Sequence, residues 1–315
     1  MPSPAEPPAQ PVGAAAERPA AARLAVVGDL VEDIVVWTSE PVRHGTDTAA
    51  RVFRTRGGSA ANVAALAAEA GTPTRFIGCV GPDAAGDALV AALGRAGVDV
   101  RVQRRGTTGA VVVLIDPDGE RTMFPDRGAS AELTAVEPAW LDGVAWLHVP
   151  LYGFERGPTR TAVLALIGQA RRRGVGLSVD ASSTGLIAGL GADRVLALLA
   201  ELGPQVLFAN ETEAAVLGLA DGGATAAAAA ATVVVKHGPQ PTAVFERGEP
   251  VCRVEVEPVD SVRDLTGAGD AFAAGFLAAT LAGRGAREAV LEGHALAARV
   301  IGVAGAGDGA SVTRT

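Results

Sequence analysis

The most informative stretch of the chain is Asp264-Leu265-Thr266-Gly267-Ala268-Gly269-Asp270, a glycine-rich turn that leads directly into the apolar pattern of residues 271–277. Gly267 and Gly269 can adopt backbone conformations closed to other residues, so neighbouring amide N–H groups can converge at the positive end of a helix. A phosphate or a developing oxyanion fits there, and Asp270 is placed to accept a proton from an attacking hydroxyl. The alternative is a plain strand-to-helix turn that Asp270 caps.

Short apolar runs and helical patterns alternate along most of the chain on both sides of this loop. Continuous apolar runs of this length are typical of strands that are buried on both faces of a parallel sheet. Strand-like runs occupy residues 24–28, 74–81, 144–149, 175–180, 206–210 and 232–238, and helical patterns occupy residues 59–71, 83–96, 159–173, 193–202, 224–231 and 286–302. This rhythm predicts an α/β fold with a doubly wound, mainly parallel sheet flanked by helices.

Two regions, residues 34–56 and 100–125, break the rhythm. The first places Val52 and Phe53 among arginines, as in an exposed strand, and the second contains three strand-like runs, the last two joined by a turn. We expect both regions to form a small β-sheet lid inserted into the α/β domain. Residues 1–21, rich in proline and alanine, are expected to be a disordered tail, and residues 22–315 to form one domain.

Composition excludes several classes of protein. The 315 residues are 49% hydrophobic and 20% charged with a mean hydropathy of +0.28, which indicates a globular chain. A net charge of −8 argues against a nucleic-acid partner, and no apolar run reaches the ~20 residues that span a membrane. Two distant cysteines and four scattered histidines predict neither a disulfide framework nor structural zinc. The N-terminus lacks the pattern of a secretory signal, so we expect a cytoplasmic protein.

Two early stretches carry groups suited to bind a ligand. Asp29 and Asp33 follow the first predicted strand, at the edge where ligands of open α/β sheets bind, although both also suit an ordinary solvated loop. Gly57 and Gly58 permit a close approach of the backbone to a ligand or to a neighbouring strand. Asn62, one turn later, offers both a donor and an acceptor.

A third stretch contains Asn210 and Glu213, which have the spacing of a capping box at the start of a helix. Capping alone explains this pair, and a role with phosphate or magnesium needs further support. The chain contains no Gly-x-x-x-x-Gly-Lys-Ser/Thr motif, and Lys236 is its only lysine, so a P-loop NTPase is excluded.

Three motifs, taken together, resemble the signatures of the ribokinase family, the PfkB-type carbohydrate kinases. They are Gly57-Gly58-Ser59-Ala60-Ala61-Asn62, Asn210-Glu211-Thr212-Glu213 and the stretch of residues 264–270 quoted above. Their order and separation agree with the family, and the resemblance covers about residues 23–312. It implies a ribokinase-like doubly wound domain closed by a small β-sheet lid.

The resemblance also implies roles for individual residues. Asp270 matches the catalytic base, and the anion hole for the γ-phosphate matches Gly267, Ala268 and Gly269. Positions that hold the hydroxyls of the acceptor match Asp33, Gly57, Gly58 and Asn62. Positions that manage ATP phosphates and Mg²⁺ match Asn210 and Glu213, the latter acting on the metal through water. Nucleotide contacts are implied for Lys236, Gly238, Gly269 and His294, and a monovalent-cation site of the kind that binds K⁺ is implied for Asp264, Thr266, Gly305 and Ser311.

Some positions depart from the family pattern. Leu265 stands where the family usually has Thr or Ser, and Leu151 aligns where ribokinase itself has a substrate-binding glutamate, so ribose is in doubt as the substrate. Arg127 resembles the arginine with which acid-sugar kinases of the family bind a carboxylate, and a solvated surface arginine is the equal alternative.

The resulting prediction is an enzyme that transfers a phosphoryl group from ATP, with Mg²⁺, to a hydroxyl of a sugar or sugar acid. Phosphoryl transfer depends mainly on positioning and charge stabilisation, which an amide cradle, a base and a metal supply. A nucleoside kinase is the alternative on the same fold, with Phe53, Leu151 and Tyr152 lining a pocket for the base. A catalytically silent ligand-binding protein is a third possibility, and a homodimer through the lid is left open.

Overall fold

A nine-stranded, mostly parallel sheet forms the centre of the protein in a computed structural model that describes residues 22–259, 262 and 265–302. The strands of the chain are β1 (Arg23–Val27), β2 (Val31–Thr38), β3 (Ala50–Gly57), β4 (Thr74–Val80), β5 (Asp99–Arg104), β6 (Thr108–Ile115), β7 (Arg121–Gly128), β8 (Val144–Pro150), β9 (Gly176–Asp180), β10 (Val206–Asn210), β11 (Thr232–His237), β12 (Gln240–Glu246) and β13 (Glu249–Val254). The large sheet has the order β13-β12-β11-β10-β9-β8-β1-β4-β5, and β12 alone runs antiparallel to its neighbours, β11 and β13. The predicted α/β class and parallel sheet are confirmed.

Helices cover both faces of this sheet. They are α1 (Ser59–Glu69), α2 (Ala84–Arg95), α3 (Pro158–Arg172), α4 (Thr184–Leu190), α5 (Ala192–Leu202), α6 (Glu211–Leu217), α7 (Gly223–Ala229), α8 (Ala268–Leu281) and α9 (Ala286–Ile301). Short 3₁₀ turns lie at Ala129–Glu132, Pro138–Leu141 and Leu151–Phe154. The sequence did not predict α4, a helix of two turns. Among the described residues, no helix is long and apolar enough to cross a membrane.

The core lies in two layers because side chains of a strand alternate between the faces of the sheet. In β1, Ala25 and Val27 belong to the cluster that packs under α3, α5, α6 and α7. Leu24 and Val26 point the other way, into a cluster with α1, α2, α8 and α9. Helices α1 and α8 therefore lie on the same face of the sheet and pack against each other.

The lid is a separate four-stranded sheet with the order β3-β2-β6-β7. Strand β2 pairs antiparallel with β3 and parallel with β6, and β6 pairs antiparallel with β7. One detail of the predicted lid, residues 100–125, is wrong: the run Val100–Gln103 lies in β5, which pairs parallel with β4 at the edge of the large sheet. Its outward side chains are polar because an edge strand is half-exposed, and that pattern resembled a lid strand.

Several candidate functional residues lie at one edge of the large sheet, where its parallel strands end. Asp29 follows β1, Asp180 ends β9 and Asn210 ends β10. Strand β1 lies between β4 and β8. The strands β4 and β5 lie on one side of it, and the later strands from β8 to β13 lie on the other, so the strand order reverses at β1. Ligands of open α/β sheets bind in the crevice at such a reversal. This topology favours a binding site beside Asp29, under the lid.

Candidate functional site

The glycine-rich loop ends where α8 begins. Gly267 has a φ of +77°, a left-handed conformation that favours glycine, and the helix starts at Ala268. Asp270 lies in the first turn of α8, and no side chain caps this end of the helix within the described residues. The alternative in which Asp270 merely caps the helix is therefore wrong. The positive end of the helix dipole lies beside Lys236, and the amide of Ala268 donates to the Leu265 carbonyl at 3.2 Å.

The carboxylate of Asp270 is held at both oxygens by α1. The Ser59 hydroxyl donates to Oδ1 at 2.7 Å, and the Asn62 side-chain amide donates through Nδ2 to Oδ2 at 2.9 Å. Burial raises the pKa of Asp270 from 3.8 to about 6, although both hydrogen bonds oppose that rise. The nearby charge of Asp180 also raises this pKa, whereas Lys236 lowers it. Ser59 had no role in the sequence analysis.

Asn62 is in turn oriented by the lid. Nη1 of Arg56, a buried side chain near the end of β3, donates to Asn62 Oδ1 at 2.9 Å. This contact turns the amide nitrogen of Asn62 toward Asp270. A chain of hydrogen bonds thus connects a lid strand to the candidate base.

Asp33 lies in the same cluster, at the junction of lid and domain. A Cβ atom at Gly57 would lie 2.0 Å from Asp33 Oδ1, and one at Gly58 would lie 2.3 Å from the backbone oxygen of Asp29. Close packing therefore requires Gly58, which has a φ of +98° and lies against backbone, whereas Gly57 leaves room for the carboxylate of Asp33. Burial raises the pKa of Asp33 to about 6; Arg56 lowers it and Asp270 raises it.

A buried ion pair stands on the other side of Asp270. Lys236 Nζ donates to Asp180 Oδ2 at 3.0 Å and lies 3.3 Å from where a Cβ atom of Gly269 would be. The ammonium group is therefore beside the amides of the predicted anion hole. Burial acts to lower the pKa of Lys236, but the charge and hydrogen bond of Asp180 and the charges of Glu213 and Asp270 together raise that pKa above its usual value. Sequence reasoning missed Asp180, although a carboxylate at the end of a buried strand was a signal for it.

Asn210 and Glu213 form the capping box that their spacing predicts. Asn210 Oδ1 accepts from the Glu213 amide at 2.9 Å, and Glu213 Oε2 accepts from the Asn210 amide at 2.9 Å. Glu213 is 3% exposed, and burial followed by the charge of Asp180 raises its pKa. The box positions a buried carboxylate near Asp180 and Lys236.

Two further predicted nucleotide contacts, Gly238 and His294, lie outside the group of side chains that bind Asp270. Gly238, with a φ of +58°, is exposed at the turn between β11 and β12. His294 lies on α9, where Nε2 is 2.8 Å from Thr242 Oγ1 and the ring packs against Phe272 at 5.5 Å. Burial lowers the pKa of His294. Among the described residues, the side-chain partners of Asp270 are Ser59 and Asn62, and His294 pairs with Thr242 instead.

Arg127, at the end of lid strand β7, is paired with carboxylates of the chain itself. Its guanidinium binds Asp29 through two hydrogen bonds and Glu155 through a third. Asp29 and Glu155 were not predicted to accompany Arg127. No sequence signal pointed to this pairing, because the three residues lie on separate elements.

The predicted monovalent-cation residues fall mostly outside the described part of the chain, which excludes Asp264, Gly305 and Ser311. Thr266 is described, and the lid residue Arg121 donates a hydrogen bond to its hydroxyl. This contact joins the start of β7 to the glycine-rich loop.

Comparisons with known proteins agree with this geometry. The family model described as "pfkB family carbohydrate kinase" matches residues 21–313. The chain is 32% identical to a fructokinase of Salmonella typhimurium, covering 83% of this chain and 85% of that protein. It is 31% identical to an adenosine kinase of Schizophyllum commune, with 76% and 77% covered. The structure of Arabidopsis thaliana ribokinase complexed with ribose and ATP superposes with a TM-score of 0.75 at 25% identity, covering 90% and 94%.

The chain belongs to the pfkB family of carbohydrate kinases. It is accordingly an ATP-dependent kinase with a ribokinase-like fold, as the three motifs predicted. The roles that the resemblance implies for individual residues remain predictions.

The residues beside the anion hole fit a nucleotide with Mg²⁺. Lys236 would place a cation next to the predicted cradle, and Asp180 and Glu213 would offer the hard oxygen ligands that Mg²⁺ prefers. Within the described residues, no group of three His, Cys, Asp or Glu side chains is arranged to hold a metal alone. That donor set suits a pfkB kinase, since Mg²⁺ usually keeps several waters and binds one or two carboxylates together with the phosphates.

The electrostatics of the cluster predict an unusual titration. We expect Asp33 and Asp270 to titrate with apparent pKa values near 6, and Arg56→Met to raise the pKa of Asp33 further because a neighbouring cation is lost. Carboxyl ¹³C NMR of aspartate-labelled protein measures this. Normal titration near pH 4 at both carboxylates would contradict the described cluster.

Proposed function

We propose that this kinase transfers the γ-phosphoryl group of ATP to a hydroxyl of a sugar or sugar-like compound, with Asp270 as the general base. One observation carries the proposal: both oxygens of Asp270 are fixed by Ser59 and Asn62 at the start of α8. A base held in this way keeps free lone pairs for a third donor, the hydroxyl of the acceptor. A pKa of about 6 suits a base that works near neutral pH.

Asp270 accepts the proton of the acceptor hydroxyl, whose oxygen bonds to the γ-phosphorus as the bond to the β–γ bridging oxygen breaks and ADP leaves. The amides of Gly267, Ala268 and Gly269 stabilise charge on the phosphoryl oxygens, and Lys236 adds a positive charge beside them. Bound ATP supplies the phosphoryl group, and bound Mg²⁺ neutralises its phosphates. Glu213 would act on Mg²⁺ through water, with Asn210 beside the phosphates.

The acceptor lies, in this proposal, between Asp33, Asn62 and the glycine pair, under the lid. Lid strand β2 carries Asp33 into the site, so closure of the lid would both bind the acceptor and exclude water. Gly238 and His294 remain proposed contacts of the nucleotide. A K⁺-type site at Asp264, Thr266, Gly305 and Ser311 remains a prediction from the resemblance.

A nucleoside kinase is the second candidate. Phe53 pairs with Val35 across β2 and β3, on the same face of the lid as Asp33, and 42% of Phe53 is exposed. An exposed aromatic ring on the site face of the lid can stack on a nucleobase. Leu151 is fully buried. Phe53 and the partly buried Tyr152 therefore remain as the side chains that could contact a nucleobase. A turnover screen with sugars and nucleosides separates the two candidates.

Replacing the base tests the mechanism. We expect Asp270→Asn to lower kcat by roughly 10²–10⁴-fold, because the amide cannot accept the proton, while ATP binding changes little. ADP release in the presence of the best acceptor and calorimetric titration with ATP measure the two effects.

The matched control for this variant is Asp87→Asn, which changes the same residue type at an exposed position in the first turn of α2. It should leave turnover unchanged. A variant at Asp270 with wild-type turnover would sink the proposed mechanism, and absence of any turnover in the wild type would favour a silent binding protein.

We also propose a homodimer through the outer face of the lid. Cross-strand partners share a face of a sheet, and one face joins Val52, Val36 and Leu114 in one row and Ile34, Val112 and Phe124 in the next. Val52 is 60% exposed and Phe124 56% exposed. This is the face opposite Asp33, so a second copy of the sheet could cover it without blocking the site.

A charge on this face should separate the dimer. We expect the wild type to elute with twice the 31.5 kDa chain mass and Val52→Asp to elute as a monomer, because a buried unpaired carboxylate is costly. Size-exclusion chromatography with light scattering measures both masses. Val216→Asp, at an exposed valine of α6, is the control. A monomeric wild type refutes the proposed interface.

A further inference from the structure

The Arg127 cluster links three elements around the crevice. Arg127 Nε donates to Asp29 Oδ2 and Nη2 donates to Asp29 Oδ1, both at 2.7 Å, which makes a two-pronged ion pair. Arg127 Nη1 donates to Glu155 Oε2 at 2.5 Å. Asp29 follows β1, Arg127 lies in β7 and Glu155 follows the 3₁₀ turn at Leu151–Phe154. All three nitrogens of the guanidinium are engaged.

The cluster borders the place proposed for the acceptor. The backbone of Asp29 touches Gly58 so closely that a Cβ there would clash. Tyr152 lies within reach of the charges of both Asp29 and Asp270, and its side chain is hydrogen-bonded to Ser183. Gly58, which Asp29 touches, directly precedes Ser59, a partner of Asp270, so an acceptor with one hydroxyl at Asp270 would have Asp29 as a neighbour.

A carboxylate of a ligand would have to compete for Arg127. The side chains of Arg127 and Asp29 are 17% and 12% exposed, so their pairing is shielded from most of the solvent. The planar fork of arginine already matches the carboxylate of Asp29, the geometry that a ligand carboxylate would need. Breaking that pair leaves Asp29 partly buried and unpaired.

The charge balance points the same way. Around the acceptor region, Asp29, Asp33, Glu155 and Asp270 carry negative charge, whereas Arg127 and Arg56 carry positive charge. The carboxylates outnumber the guanidinium groups, and the cluster of Arg127 with its two partners is itself negative. A further anion placed here meets net repulsion in a partly buried site.

We propose that this site selects uncharged polyhydroxy acceptors and excludes sugar acids, because Asp29 and Glu155 neutralise Arg127 and present acceptor oxygens to hydroxyl groups. This inference rests on the proposed kinase function and narrows its acceptor class. It reverses the reading of Arg127 as the partner of a substrate carboxylate. Arg127 is a positioning residue that orients Asp29 so that its remaining lone pairs face the ligand.

Matched acceptor pairs test the charge preference directly. The purified full chain is assayed with ATP and Mg²⁺ on fructose against 2-ketogluconate, glucose against gluconate, and ribose against ribonate. We expect kcat/KM to be at least about tenfold higher for the neutral member of any pair that reacts. Equal or better turnover of an acid overturns the inference.

Removing the neutralising charges gives a second readout. Glu155→Gln, and Asp29→Asn with it, should lower the neutral-to-acid ratio of kcat/KM by about tenfold or more, because Arg127 becomes available to a carboxylate. Glu155 is 44% exposed at its side chain, so the single variant should fold even if the double variant does not. A role as a structural brace would weaken both acceptors alike and leave the ratio unchanged, which also overturns the inference.

The control is Glu32→Gln, which removes a carboxylate from a 2.5 Å ion pair with Arg54 on lid strands β2 and β3. It should leave the ratio unchanged. If no acceptor of either class is phosphorylated, the kinase proposal fails on its own. The charge preference is then decided by thermal-shift binding of the same pairs: stabilisation by neutral members supports it, and stabilisation by acids only overturns it.

Discussion

The arrangement of this protein depends on one half-buried carboxylate, that of Asp270 at the start of α8. A charged group in this position needs donors at both oxygens, and α1 provides them through Ser59 and Asn62. The two helices can meet because they cover the same face of the sheet. Arg56 then orients Asn62 from the lid. The environment of the candidate base therefore depends both on the packing of the two helices and on the position of the lid.

The same logic explains the pairing of charges along the edge of the sheet. Lys236 is balanced by Asp180, and Arg127 by Asp29 and Glu155. Each cation stands where a ligand is proposed to bind, on the phosphate side for Lys236 and on the acceptor side for Arg127. Preorganised charges of this kind cost no rearrangement during a reaction, and the proposed charge preference of the acceptor site rests on the same pairs.

Sequence patterns predicted the large sheet well, because strands buried on both faces are continuous apolar runs, as in β1 and β10. The glycine-rich loop and the capping box were recognised because the residues that form each of them lie within a few positions of one another in the chain. Strand β5 was misplaced because an edge strand exposes polar side chains. Partnerships such as Ser59 with Asp270, Asp180 with Lys236 and Asp29 with Arg127 join residues far apart in the chain, and no local pattern contains them.

A crystal structure of the complex with Mg²⁺, a non-hydrolysable ATP analogue and the best acceptor tests the central claim most directly. The account predicts an acceptor hydroxyl oxygen about 2.6–3.2 Å from a carboxylate oxygen of Asp270, and the γ-phosphate beside the amides of Gly267–Gly269 and the ammonium of Lys236. An acceptor hydroxyl bound away from Asp270, or a γ-phosphate that does not reach the start of α8, would contradict it.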